Sequence, residues 1–144
     1  MGRILSIDYG RKRVGLAVSD PLKIIATALD TVHADEVLDY LGKYVEREPV
    51  ELFVVGLPKN LDNTDAESMR DVKPFVKRLQ AKFPKIPVAW ADERFTSKLA
   101  MRAMIDAGFK KSDRRKKENT DKLSAVIILQ SYMETMNNGN NYIE

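Results

Sequence analysis

The chain contains no cysteine and a single histidine, His33. Without thiolates there is neither a disulfide framework nor a sulfur metal cage, and folding needs no oxidising compartment. One imidazole cannot build a multi-histidine zinc site. Any bound metal would be held mainly by oxygen ligands, which suits magnesium or manganese. No apolar run approaches the ~20 residues of a membrane span. Met1-Gly2-Arg3 leads straight into an apolar stretch too brief for the core of a signal peptide. Met1-Gly2 with Ser6 meets the short myristoylation pattern, but these residues are better used in a buried strand. Together these features predict a cytoplasmic protein with no membrane association.

A length of 144 residues suits one domain, and a chain of this size buries roughly 68–70% of its unfolded surface. The net charge of +3 is small but unevenly placed. Residues 110–122 (KKSDRRKKENTDK) hold seven bases against three acids, so the remainder of the chain is slightly acidic.

Residues 3–9 (RILSIDY) and 13–19 (RVGLAVS) read as two short strands. The Gly10-Arg11-Lys12 connection between them has hairpin length, which makes them antiparallel. Residues 24–32, β-branched at both ends, offer a third strand. Val37, Leu38, Leu41 and Val45 then recur at helical spacing, with Asp35 as a cap and Pro49 as a stop. Residues 51–56 (ELFVVG) are apolar on both faces and predict a central fourth strand. Thr64 and Glu67 form a capping box for a helix with Met69, Val72, Phe75 and Leu79 on one stripe, kinked at Pro74. Residues 86–91 predict a fifth strand with Trp90 in the core, running into Asp92-Glu93-Arg94. A short helix over 97–107 closes at Gly108. The basic stretch reads as a flexible arm, and a last helix runs from about Asp121 to Met136. Right-handed crossovers then give an α/β fold. It is a five-stranded mixed sheet of order 3-2-1-4-5, with strand 2 antiparallel and helices on both faces. Residues 1–136 form one domain, and 137–144 (NNGNNYIE) a disordered tail.

Three acidic positions from distant parts of the chain can converge on such a sheet. Asp8 ends an otherwise apolar strand, where a charge is costly unless it is paired or bound to metal. Asp121 heads a stripe with Ala125, Ile128 and Tyr132 that faces the sheet, although an acid in a first helical turn is also favoured by the macrodipole. Asp92-Glu93 leaves the fifth strand, and adjacent strand residues point to opposite faces, so one of the two reaches the centre. Glu93 has the longer reach, with Asp92 as its substitute. Converging carboxylates that hold two cations are the apparatus of metal-assisted phosphodiester cleavage. Arg94 is either an ion-pair partner or a phosphate clamp. Lys59 and the amides of Gly56-Leu57-Pro58-Lys59-Asn60 either meet a phosphate or simply form a tight turn. Lys110, Lys111, Arg114, Arg115, Lys116 and Lys117 run directly into Asp121 and would neutralise backbone phosphates without reading bases.

The spellings DYGxxRxGLA at 8–17, VVGLP at 54–58, DERFT at 92–96 and DKLSAVIILQSY at 121–132 occur in this order over nearly the whole chain. Together they resemble the YqgF/RuvX family. The resemblance implies an RNase H-like fold and a nuclease that resolves Holliday junctions or matures the 5′ end of 16S ribosomal RNA precursors. By position it implies metal-binding catalytic acids at Asp8, Glu93 and Asp121, loaded with Mg2+ or Mn2+. Arg13 falls on the family's motif arginine and joins the nucleic-acid-binding set. In the wider RNase H-like superfamily a second acid ends strand 4, whereas here Gly56-Leu57-Pro58 fills that place. The expected partner is nucleic acid, either precursor ribosomal RNA or branched DNA, bound by a monomer or a homodimer. Two other readings stand beside it: a non-cleaving RNA or junction binder on the same fold, and an actin- or hexokinase-like phosphotransferase. The phosphotransferase would need two such domains, and 144 residues supply one.

Overall fold

The computed structural model describes residues 2–57, 69–92 and 117–137. Its first two strands, β1 (Arg3–Tyr9) and β2 (Arg13–Ser19), form the expected hairpin. Gly10 permits the short connection, because a Cβ there would stand 2.7 Å from the Arg13 carbonyl oxygen.

The third strand, β3 (Ala26–His33), begins two residues later than its β-branched sequence suggests. Asp20 is the reason. Its Oδ1 accepts from the amides of Ile24 at 2.7 Å and Ile25 at 2.8 Å, removing donors a ladder would use. Those bonds, led by the one from Ile25, hold the Asp20 carboxyl below its usual range. Lys23 takes a left-handed φ of 60°, and its Nζ lies 2.7 Å from Glu51 Oε1. That oxygen also accepts from the Gly2 amide at 2.9 Å. The turn is thus stapled beside the start of β1, with Leu22, Ile24 and Ile25 exposed at its tip.

The remaining elements are α1 (Val37–Arg47), β4 (Val50–Leu57), α2 (Met69–Lys82), β5 (Val88–Asp92) and α3 (Lys117–Asn137). The sheet order is β3-β2-β1-β4-β5, with β1, β4 and β5 parallel and β2 antiparallel to both neighbours, as the sequence predicts. Pleating sorts the side chains. Leu5, Ile7, Val14, Leu16, Phe53 and Val55 pack against α1 and α2, with Phe75 and Leu79 at the centre of that layer. Ile4, Ala17, Val54 and Ala91 pack against Ala125, Ile128, Leu129 and Met133 of α3 on the other face.

Several local expectations are corrected. Glu36, not Asp35, occupies the N-cap of α1 and makes no side-chain capping bond. The Asp35 amide instead donates to His33 Nδ1 at 3.1 Å, which commits the lone histidine to a turn. The last helix starts at Lys117, four residues before Asp121, so the end of the basic stretch is helical rather than part of a loose arm. Trp90 is not core but 39% exposed, because β5 is the last strand of the described sheet and lacks a neighbour on one side. Thr64, Glu67 and the helix expected over 97–107 lie outside the described residues, as does the tail beyond Asn137. Among the described residues no helix is long and apolar enough to cross a membrane.

Candidate active site

Asp8 is the next-to-last residue of β1 and is half-buried. It shares the α3 face with Ile4 and Ser6, by the pleat that sends Leu5, Ile7 and Tyr9 to the α1/α2 face. On β2 its cross-strand partner is Gly15. On β4 the parallel register reaches Ile7↔Val55, and one further step sets Asp8 beside Gly56. The carboxylate therefore stands on a stretch of sheet where both flanking strand positions are glycines and lack a side chain.

Helix α3 closes this face. Ser6, fully buried two residues before Asp8, donates its Oγ hydrogen to the Ala125 carbonyl at 2.7 Å. That bond pins the helix over β1 one turn beyond Asp121. Ala125 and Ile128 are buried in the second core and Tyr132 packs at its margin, so the stripe predicted to follow Asp121 is the one that docks on the sheet. Asp121 itself lies in the second turn of α3, away from the first-turn amides that would otherwise explain an acid there.

Arg13 begins β2, on the same face as Gly15 and diagonal to Asp8. Diagonal neighbours are roughly 7–8 Å apart, within reach of an arginine. The turn between them is tied down from the other side. Arg11 Nε lies 2.8 Å from Asp71 Oδ2 in the first turn of α2, and the Tyr9 ring stacks on Phe75 at 4.3 Å between centroids. These contacts hold the end of β1, and Asp8 with it, between two helices.

Asp92 is the last residue of β5 and pairs with Leu57. Its register position belongs with Val88 and Trp90, on the α1/α2 side, opposite to that of Asp8. Glu93, Lys59, Arg94, Lys110, Lys111, Arg114, Arg115 and Lys116 lie outside the described residues, whereas Lys117 opens α3. Among the described residues no three His, Asp or Glu side chains gather as a metal cage, and of the candidate acids only Asp8 has a described side chain. The donor chemistry nevertheless fits a hard divalent cation: oxygen ligands only, on a face whose flanking residues are glycines. Sequence reasoning missed Ser6 and the Arg11–Asp71 tie. A lone polar residue inside the run RILSIDY was the signal for the first; the second crosses 60 residues and left none.

The fold has known counterparts. Thermus thermophilus RuvC, solved with a Holliday junction substrate, superposes with a TM-score of 0.66 at 14% identity, over 96% of this chain and 97% of RuvC. The fowlpox virus resolvase, solved with Holliday junction DNA, does so at 0.56 and 14%, over 93% and 98%. At such identities the likeness is one of fold, and that fold is the RNase H-like α/β arrangement. Sequence carries the assignment further. A Bacteroides thetaiotaomicron protein named "Putative pre-16S rRNA nuclease" is 53% identical over 135 residues, 94% of this chain and 98% of the relative. A Phocaeicola vulgatus protein of the same name is 56% identical over 135 residues, 94% and 97% of the two chains. The RuvX Holliday junction resolvase family matches residues 2–135, and this chain belongs to it.

Proposed function

We propose that the chain is a metal-dependent nuclease that hydrolyses phosphodiester bonds in structured nucleic acid, with the 5′ end of 16S ribosomal RNA precursors as its principal substrate and branched DNA as a second. One observation carries this reading: Asp8 stands between two glycine positions on the face closed by the helix that bears Asp121. In this proposal Asp8, Glu93 and Asp121 hold the cation. The register of Asp92 with the opposite face supports Glu93 rather than Asp92 as the acid from that segment. Magnesium or manganese bound there supplies Lewis-acid polarisation of the phosphate and a water of lowered pKa. Arg13 offsets charge on the non-bridging oxygens from beside Asp8. Lys59, Arg94, Lys110, Lys111, Arg114, Arg115, Lys116 and Lys117 neutralise flanking phosphates and fix the register of the substrate without reading its sequence.

Asp8→Asn tests the assignment. It should abolish cleavage of a pre-16S RNA fragment and of a four-way junction while leaving binding to both within a few-fold. Full activity in this variant would remove Asp8 from the mechanism. A second reading, a non-cleaving binder, draws on the absence of a carboxylate at Gly56-Leu57, where β4 ends beside β1. Tight retention of substrate without product across magnesium and manganese titrations would establish that reading instead.

A further inference from the structure

The two helices on the Tyr9 side of the sheet differ sharply in charge. α1 carries two acids and two bases, whereas α2 (MRDVKPFVKRLQAK) carries five bases and one acid, Asp71. That acid is engaged by Arg11 at 2.8 Å. The buried stripe of α2 is Val72, Phe75, Val76 and Leu79. On the opposite side, Arg70, Lys77 and Arg78 are all exposed, with Lys73 among them at helical spacing. Asp71, at the edge of this stripe, is the one acid between its ends, and Arg11 pairs with it. From Arg70 to Arg78 the helix rises ~12 Å at 1.5 Å per residue, long enough to meet several phosphates of a duplex with one charge per ~1.7 Å of axis.

The position of the stripe matters as much as its charge. The Arg11–Asp71 ion pair and the Tyr9–Phe75 stack join the first two turns of α2 to the residues that follow Asp8. The stripe therefore starts beside the residues that follow Asp8 and leads away on the α1/α2 side, on the other face of the sheet from α3. We propose that the outer face of α2 is a second nucleic-acid surface, which grips the phosphodiester backbone of a duplex arm extending from the cleavage point. This rests on the nuclease reading for the identity of the ligand. It adds that a substrate is held on both sides of the sheet edge, which suits a stem or a branched structure better than an isolated single strand.

The test is equilibrium binding by fluorescence anisotropy in EDTA, with a labelled RNA hairpin and a labelled four-way DNA junction, over a range of salt. The triple variant Arg70→Gln/Lys77→Gln/Arg78→Gln should bind at least about tenfold more weakly. Its slope of log K against log salt should be shallower by about 2.7, at ~0.9 for each phosphate no longer neutralised. Lys77→Gln alone, a milder change to the helix, should lower the slope by about 0.9. Lys43→Glu, on α1, should change neither quantity. Wild-type affinity and slope in a triple variant that melts like the wild type would overturn the proposal. If the wild type cleaves while that result is found, the nuclease reading stands and only the α2 surface falls. If the wild type neither cleaves nor binds, both fall together.

Discussion

Ser6 offers a measurable handle on the link between the helix and the sheet. Its Oγ donates to the Ala125 carbonyl at 2.7 Å from a fully buried position. Ser6→Ala removes one net hydrogen bond, worth about 0.5–1.5 kcal/mol. The lower half of that range is expected, because an interior helix carbonyl keeps its own i+4 amide partner. For a chain of this size such a loss lowers Tm by roughly 1–4 °C. Ser6→Val is a different perturbation. A methyl carbon in place of Oγ needs about 3.3–3.6 Å from a carbonyl oxygen. Starting from 2.7 Å, α3 must therefore retreat by roughly 0.6–0.9 Å. A misplacement near 1 Å costs up to about 10²-fold in rate when the displaced group belongs to the reacting constellation. Single-turnover cleavage at saturating magnesium, paired with thermal melts, separates the effects. Ser6→Ala should cleave within a few-fold of the wild type, while Ser6→Val should lose about 10- to 100-fold in kcat with little change in KM. A Ser6→Val protein that melts lower yet cleaves at the wild-type rate would mean that the spacing of α3 from β1 is irrelevant to the chemistry.

Glu93→Gln should eliminate cleavage while Asp92→Asn retains most of it, as measured on the same RNA fragment; the reverse ranking would place Asp92 in the reacting centre. Phe75→Ala should cost about 3–5 kcal/mol in urea unfolding, because the ring is fully buried and carries the Tyr9 stack. The carboxyl of Glu51 is held below its usual range, first by Lys23 and then by the Gly2 amide. A depressed carboxylate stabilises the fold above its unfolded pKa and loses that contribution as pH falls through its folded value. Glu51→Gln should therefore lower stability at neutral pH by no more than about 1 kcal/mol for a partly exposed pair. The gap from the wild type should close below the usual carboxylate range. A gap that persists at low pH would mean that the carboxylate charge is not its source.

Much of this architecture is written in local periodicities. The alternation in RILSIDY and RVGLAVS separates the two faces of the sheet, and the apolar run LFVV within ELFVVG marks a strand covered on both sides; these patterns carry the strand order and the face of Asp8. The stripe from Ala125 to Tyr132 likewise identifies the docking side of α3. What escaped depends on partners remote in sequence or on competition for hydrogen bonds. Ile24 and Ile25 look like strand residues, yet Asp20 takes their amides. Trp90 looks like core within an apolar strand, but edge position belongs to the sheet and not to the strand. Lys117 to Thr120 show no apolar stripe, so nothing local announced that α3 begins there. The polarity of α2 was present in the sequence and was obscured by the denser basic run at 110–122.

The turn before β3 has a consequence for how the molecule behaves in company. β3 is eight residues long and forms one rim of the described sheet. An open rim next to greasy side chains ordinarily templates strand addition by a neighbouring molecule. Here the Asp20 carboxylate occupies the two donors just before the strand. Further along, the register jumps between Asp30 and Ala28, leaving Leu29 as an extra residue that breaks the ladder. A stray strand meets two short, misaligned segments in place of one continuous rail, so Leu22, Ile24 and Ile25 can sit in water without a contiguous backbone on which to polymerise.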